Sequence, residues 1–331
     1  MKKFSIFFFA VFMFLTSFTT PKDPLFFGVA VDGYPVTTNR LENIYNEIKV
    51  KPKMIVFYLM WPNLKETDKS FDIISSLKAC DNFGAIPCIT WEPMSLENNK
   101  EKVVLKEDVL DGKYDRYFDE FMLQIKMFKQ PVIIRLGHEM NLEKYHWGVS
   151  EKDYTNKAPD AYKKMFIYIV DYFRKNDIEN VFFAFCPNAE SVPNLSWNQI
   201  KNYYPGNEYI DILGIDGYNF GNCATLENVG WDSTWKSFKE IFENVYNELR
   251  ELSLIKPIII FETASTSKGG NKTLWLKEAI ESAEKLGISC INWFEHNKEC
   301  DWKITKDQTP VLKKYFSDKN EKKIMMKEII K

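Results

Sequence analysis

The chain has 331 residues, 45% of them hydrophobic and 27% charged, and its 44 basic and 46 acidic side chains leave a net charge of −2. That length suits one large α/β domain, and the even charge excludes the basic footprint of a nucleic-acid or anionic-membrane binder. Aromatic residues reach 15%, enough flat ring surface to pack against sugar C–H faces, although large cores use the same residues.

The chain opens on "MKKFSIFFFAVFMFLTSFTT", with Lys2 and Lys3 ahead of an unbroken apolar run. This is the layout of a secretory signal peptide over residues 1–20, and it predicts a secreted or periplasmic protein with no membrane attachment after cleavage. An uncleaved anchor is the alternative. No other segment is apolar for long enough to cross a bilayer.

Short apolar runs then alternate with amphipathic segments. The strand-like runs are "LFFGVAVDG" (25–33), "KMIVFYLMW" (53–61), "AIPCITWEP" (85–93), "PVIIRLGHEM" (131–140), "NVFFAFCPN" (180–188), "YIDILGIDGYNF" (209–220), "PIIIFETAS" (257–265) and "SCINWFEHN" (289–297). Each is nearly continuously apolar, as expected of strands buried on both faces of a parallel sheet. Between them lie helical patterns: "YDRYFDEFMLQIKMF", "DAYKKMFIYIVDYFRKN", "STWKSFKEIFENVYNELREL" and "NKTLWLKEAIESAEKLG", the last closed by Gly287. Eight strands alternating with helices predict a (β/α)₈ TIM barrel, a single domain over residues 21–317, followed by a Lys-rich tail at 318–331. A doubly wound open sheet is the alternative, but no Gly-x-Gly-x-x-Gly follows the first strand. No boundary divides the chain as a two-domain solute-binding protein would require, and no oligomer signal is visible, so a monomer is expected.

Of six cysteines, Cys88, Cys186 and Cys290 lie inside strand patterns and read as small hydrophobes. Cys223 and Cys300, in loop-like contexts, are the best disulfide candidates.

In such a barrel, chemistry gathers at the C-terminal strand ends. Those ends carry Asp32, Trp61, Trp91 with Glu92, His138 with Glu139 and Asn141, Asn188, Asp216 with Tyr218 and Asn219, Glu262, and Trp293 with Glu295 and His296. The opposite ends carry little of this kind. Glu139 closes the fourth strand and Glu262 the seventh. One glutamate in an apolar run could be a structural ion pair, but two at non-adjacent tips of one rim match what glycoside hydrolysis needs, an acid and a nucleophile or base. Metal-dependent hydrolysis fits less well. The chain has three His in all, and Leu142 stands where a His-Glu-x-x-His zinc helix would need its second His. Neither a Gly-x-Ser-x-Gly elbow nor a phosphate-cradling Gly-rich loop is present.

The stretches "RLGHEMN", "AFCPN", "YYPGNEYIDILGIDGYNF", "KPIIIFETAS" and "WFEHNKECDW" occur in the order seen in glycoside hydrolase family 26, which the chain resembles from its first strand to about Trp302. The resemblance implies a (β/α)₈ barrel with retaining endo-activity on a polysaccharide, without metal or other cofactor. Endo-β-1,4-mannanase comes first, with lichenase and β-1,3-xylanase as alternatives and a non-catalytic glycan-binding barrel as a more distant one. It further implies that Glu139 is the general acid/base and Glu262 the nucleophile, held by Tyr218. His138, Asp216, Tyr218 and Trp293 would surround the sugar beside the scissile bond, with Trp147 as an aromatic wall. Two departures stand out. Leu142, Glu143 and Lys144 replace the Gly and early aromatic that usually follow "HEMN", and Ala264 stands two residues after the nucleophile, where Gly is often found.

Overall fold

The computed structural model describes residues 24–64, 71–148, 157–317 and 326. The N-terminal apolar segment and, apart from Met326, the Lys-rich tail lie outside the described residues. Among those described, no helix is long and apolar enough to cross a membrane.

In chain order the strands are β1 (Phe26–Ala30), β2 (Met54–Met60), β3 (Ile86–Glu92), β4 (Met94–Glu97), β5 (Lys100–Val103), β6 (Val132–Leu136), β7 (Val181–Phe185), β8 (Ile212–Asn219), β9 (Ile258–Ser265) and β10 (Cys290–Phe294). The helices are α1 (Thr38–Ile48), α2 (Ile73–Phe83), α3 (Lys106–Leu110), α4 (Asp115–Phe128), α5 (Ala158–Lys175), α6 (Ile200–Tyr203), α7 (Leu226–Val229), α8 (Phe238–Leu252), α9 (Lys272–Leu286) and α10 (Thr309–Phe316). Eight parallel strands close in the order β1-β10-β9-β8-β7-β6-β3-β2, so the expected barrel is present and each apolar run supplies one stave. The strands are apolar on both faces because helices cover the outside while side chains fill the inside. The helices turn one apolar stripe inwards, as α4 does with Phe118, Phe121, Met122 and Ile125. Their ends follow local chemistry. Ser237 and Glu240 form a capping box at α8, Asn271 caps α9, and Gly287 closes α9 at φ 70°.

One element departs from the sequence reading. After β3 the chain forms an antiparallel hairpin, β4–β5, in a stretch to which the sequence reading assigned no element. Its turn residues Asn98 and Asn99 have φ values of 54° and 59°, the left-handed pair that two-residue hairpins require and that Asn tolerates.

Inside the barrel, close packing fixes Gly28: a Cβ there would stand 1.9 Å from Oδ1 of Asn292, whose Nδ2 donates to the Ile260 carbonyl at 2.8 Å. The strands keep simple register except around β9. Ile260 pairs with Ile215 on one side and Ile291 on the other, but beyond it the partners become Asp216–Glu262 and Trp293–Thr263. Strand β9 therefore carries one extra residue against both neighbours, a bulge that re-aims the side chains near its tip.

At the rim, Cys223 and Cys300 form a disulfide across 77 residues of sequence, while Cys80, Cys88, Cys186 and Cys290 are free and buried. The bond ties the loop after β8 to the loop after β10. Because it closes a long loop of the unfolded chain, removing it in Cys223→Ser/Cys300→Ser should cost about 2–4 kcal/mol. A lower midpoint in thermal unfolding checks this, with the double variant matching the reduced wild type.

Candidate active site

Strand β6 ends at Leu136, and the chain then turns sharply. Gly137 takes φ 53° and its N–H donates to the Trp91 carbonyl at 3.0 Å, while Glu139 itself takes φ 49° and donates its N–H to the Cys186 carbonyl at 2.8 Å. A non-glycine residue in the left-handed region costs of order 1 kcal/mol and persists only where its surroundings hold it. Here the backbone bond to the end of β7 holds it. The Glu139 side chain is buried; its Oε1 accepts from Asn188 Nδ2 at 2.8 Å, and Lys144 Nζ stands 3.5 Å from Oε2. Asn188 is fixed in turn by Asn141, whose Oδ1 accepts from the Asn188 N–H and whose Nδ2 donates to the Asn188 and Glu190 carbonyls. Asn141 thus pins the loop after β7 that carries the partner of Glu139.

Glu262 lies in the bulged part of β9, directly beside Asp216 of β8. Arg135, fully buried on β6, reaches both. Its Nη1 donates to Asp216 Oδ2 at 2.5 Å, its Nη2 donates to Glu262 Oε1, and its Nε and Nη2 donate to the Thr90 hydroxyl at 2.9 and 2.6 Å. Tyr218 donates its hydroxyl to Glu262 Oε2 at 2.5 Å. Burial works to raise the Glu262 pKa, but the Arg135 charge, together with the Tyr218 hydroxyl, outweighs it and holds the group at about 2. Burial pushes Asp216 well above the usual carboxylate range despite Arg135, and the neighbouring Glu262 and Glu139 push it the same way. One guanidinium thus serves two carboxylates. The one with the extra hydroxyl donor, Glu262, is the one whose charge the site favours. Cys186 adds a weak thiol donor to Asp216 at 3.3 Å.

His138 is buried, and burial followed by Arg135 lowers its pKa well below the usual imidazole value, so it is neutral at neutral pH. Its Nε2 is 3.2 Å from the Tyr145 hydroxyl, while Nδ1 has no partner. Tyr58 OH and Trp61 Nε1 are likewise buried without partners. The orphaned atoms of Tyr58 and His138, whose rings are 6.0 Å apart, suit a ligand rich in hydroxyl groups, whereas Trp61 packs among Trp91, Tyr114, Tyr117 and Phe118.

The two predicted tryptophans occupy deeper positions than side walls. Trp147 is buried and donates its Nε1 to the His138 carbonyl at 2.6 Å, with its ring stacked on Tyr145 at 4.6 Å. Trp293 has 0% of its surface exposed and donates its Nε1 to the Trp302 carbonyl at 2.7 Å. Trp302 and Tyr145 are the rings that they support, and Tyr218 packs 5.2 Å from Trp302. The structure brings Glu139, Glu262, His138, Asp216 and Tyr218 to one rim, with Trp147 and Trp293 behind it.

Sequence reasoning gave no role to Arg135, Tyr58, Glu92 or Lys144. The signal for Arg135 was there, a lone cation inside the apolar run "VIIRL". Glu92, at the tip of β3, is only 7% exposed, and burial, with Glu262 and Glu101 adding to it, raises its pKa to about 8 against the pull of Arg135. His138, Asp216 and Glu262 could in principle share a cation. Arg135 already supplies the positive charge for both carboxylates, however, so the site as built does not call for a metal.

Replacing Arg135 by Met leaves buried carboxylates unpaired. This should destabilise the fold by about 3–5 kcal/mol and move the acid limb of kcat/KM to higher pH, because Glu262 loses its main charge partner. Tyr218→Phe removes one hydrogen bond to a charged group, worth about 1.5–3 kcal/mol, and should move that limb the same way in a folded protein. Thermal melts and pH–rate profiles check both. For Glu92 the folded pKa lies above the unfolded one, so the native state binds the extra proton and stability falls as pH rises from about 4.5 to about 8. Glu295, raised to about 7, contributes with the same sign. Relative to wild type, Glu92→Gln should therefore be more stable at pH 8.5 than at pH 5, read from the difference in thermal midpoints.

A family model described as glycosyl hydrolase family 26 matches residues 90–241. The chain is 35% identical to Endoglucanase H of Acetivibrio thermocellus over 226 residues, 67% of this chain but 23% of that protein. It is 29% identical to a mannan endo-1,4-beta-mannosidase of Bifidobacterium adolescentis over 151 residues, 41% of this chain and 14% of that one. The chain thus spans a quarter or less of the length of these curated relatives. Among solved structures, a GH26 beta-mannanase from Bacteroides ovatus has the same fold, with a TM-score of 0.62 at 17% identity over 94% of this chain and 93% of that one. The barrel topology and the matched sequence agree, and the chain belongs to glycosyl hydrolase family 26.

Proposed function

We propose that the protein is a retaining endo-acting glycoside hydrolase of a β-linked polysaccharide. The observation that carries this reading is the unequal treatment of the two glutamates. Glu262 is tied to Arg135 and Tyr218 and stays ionised, whereas Glu139, beyond the end of β6, is held by a neutral amide and a loosely placed lysine. A nucleophile must be a carboxylate before the reaction begins, and an acid/base must exchange its proton in each half-reaction. Glu139 protonates the glycosidic oxygen as Glu262 attacks the anomeric carbon and forms a covalent glycosyl-enzyme. The deprotonated Glu139 then takes a proton from water, which attacks the same carbon and releases Glu262. While Glu262 is esterified it no longer raises the Asp216 pKa, and the Asp216 carboxylate then answers Arg135 by itself. The neutral His138, the unpaired Tyr58 hydroxyl and the protonated Glu92 are available to sugar hydroxyl groups. Trp147 and Trp293 act from behind, supporting Tyr145 and Trp302, rather than as stacking surfaces of their own.

β-1,4-Mannan is the first substrate, supported by the likeness to mannan endo-1,4-beta-mannosidases. A β-glucan is the second reading, favoured by the longer and higher-identity match to an endoglucanase. Export is part of the proposal, supported by the apolar N-terminal run and by the Cys223–Cys300 disulfide, since such bonds persist in oxidising compartments. The test is reducing-sugar release from glucomannan, galactomannan, mixed-linkage β-glucan and β-1,3-xylan by wild type and Glu262→Ala, with the anomer of the first product followed by NMR. Release from galactomannan with retained configuration, absent in Glu262→Ala, is the expected result. Release from mixed-linkage glucan alone moves the substrate to the second reading, and inverted product overturns the mechanism.

A further inference from the structure

The loop between β8 and α8 carries the tryptophan of the rim that is open to solvent. Trp231 is 45% exposed, directly after Gly230 ends the short helix α7 at φ 85°. The surrounding backbone is well anchored. Leu226 N–H donates to Asp232 at 2.9 Å, Ala224 and Ser233 exchange backbone and hydroxyl hydrogen bonds at 3.0–3.2 Å, and Cys223 is bonded to Cys300. Trp231 is therefore presented on a stapled loop, with little ordering left to do on binding.

Its ring lies edge-on to Phe220, with centroids 5.0 Å apart. Phe220 lies edge-on to Trp302 at 5.0 Å, Trp302 packs on Tyr218 at 5.2 Å, and Tyr218 holds Glu262. An unbroken line of aromatic rings thus runs from the nucleophile to the open rim and ends in an accessible indole. Flat aromatic surface beside the rim is suited to the C–H face of a pyranose; Trp302 is 1% exposed and only backs the line, so Trp231, 45% exposed, is the ring that offers such a surface.

We propose that Trp231 is a remote sugar-stacking platform that binds a pyranose unit of the polysaccharide away from the bond being cleaved. This rests on the hydrolase reading above and adds a specificity determinant to it. A long chain reaches Trp231 whereas a short substrate does not, so the platform discriminates by length and favours polymer over oligosaccharide.

The test compares wild type, Trp231→Ala and Trp231→Phe on polymeric substrate and on a short aryl β-glycoside of the same sugar. The expected result for Trp231→Ala is a KM on polymer raised about 10-fold with kcat unchanged and the short substrate unaffected, with Trp231→Phe recovering most of the loss. Equal losses on both substrates, or a fall in kcat, would mean that Trp231 only buttresses Phe220 and Tyr218, and would overturn the proposal. So would an unchanged polymer KM. Affinity electrophoresis in gels containing the same polysaccharides, with Glu262→Ala as the background for each variant, reads the platform without turnover. Retardation lost with Trp231→Ala supports the platform even if no hydrolysis is found, whereas hydrolysis with unaltered retardation rejects it and leaves the hydrolase reading intact.

Discussion

The rim is organised by one buried cation. Arg135 has no exposed surface and binds Asp216, Glu262 and Thr90 at once, joining β6, β8, β9 and β3 across the mouth of the barrel. A buried guanidinium costs several kcal/mol in desolvation and is tolerated only when charge and geometry answer it. Here two carboxylates answer it, and they compete for one cation. The hydrogen bond from Tyr218 tips the choice towards Glu262.

The rest of the rim is scaffolding for that arrangement. The bulge in β9 sets Glu262 beside Asp216. The left-handed turn at Gly137 and Glu139 swings the second glutamate out of the strand direction, and Asn141, through Asn188, fixes where it points. On the other side, Trp293 and Lys272 hold the loop after β10. Lys272 Nζ donates to the carbonyl groups of Asp301, Trp302 and Lys303, and the loop they hold sets Trp302 against Tyr218. The placement of both glutamates thus depends on residues two contacts away from them, as the proposed chemistry requires of a constellation held to fractions of an ångström.

Much of the fold was legible because barrel strands are buried on both faces and helices on one, so each element leaves its own period in the sequence. The eight apolar runs each became a stave, and Cys223 and Cys300 stood out because they lay outside strand patterns. The β4–β5 hairpin was missed although "ENNKE" carries the Asn-Asn turn signal, because its strands are short and largely exposed and so have no apolar period. Trp147 and Trp293 illustrate a different limit. Trp293 was readable at a strand end and Trp147 was named through the family resemblance, but whether a ring faces a cleft or lies behind its wall depends on neighbours remote in the chain.

By itself the sequence determined that glutamates would stand at the ends of the fourth and seventh staves, because alternating strand and helix periods allow a parallel barrel whose chemistry collects at one rim. Tertiary structure alone decided how those glutamates would differ. Arg135, Asp216 and Glu262 are 81 and 127 residues apart, counted from the arginine, and only closure of the barrel, with an extra residue in β9, makes them neighbours. Ionisation of a buried carboxylate is set by the charges and donors within a few ångströms, and those distances come into being when the staves meet.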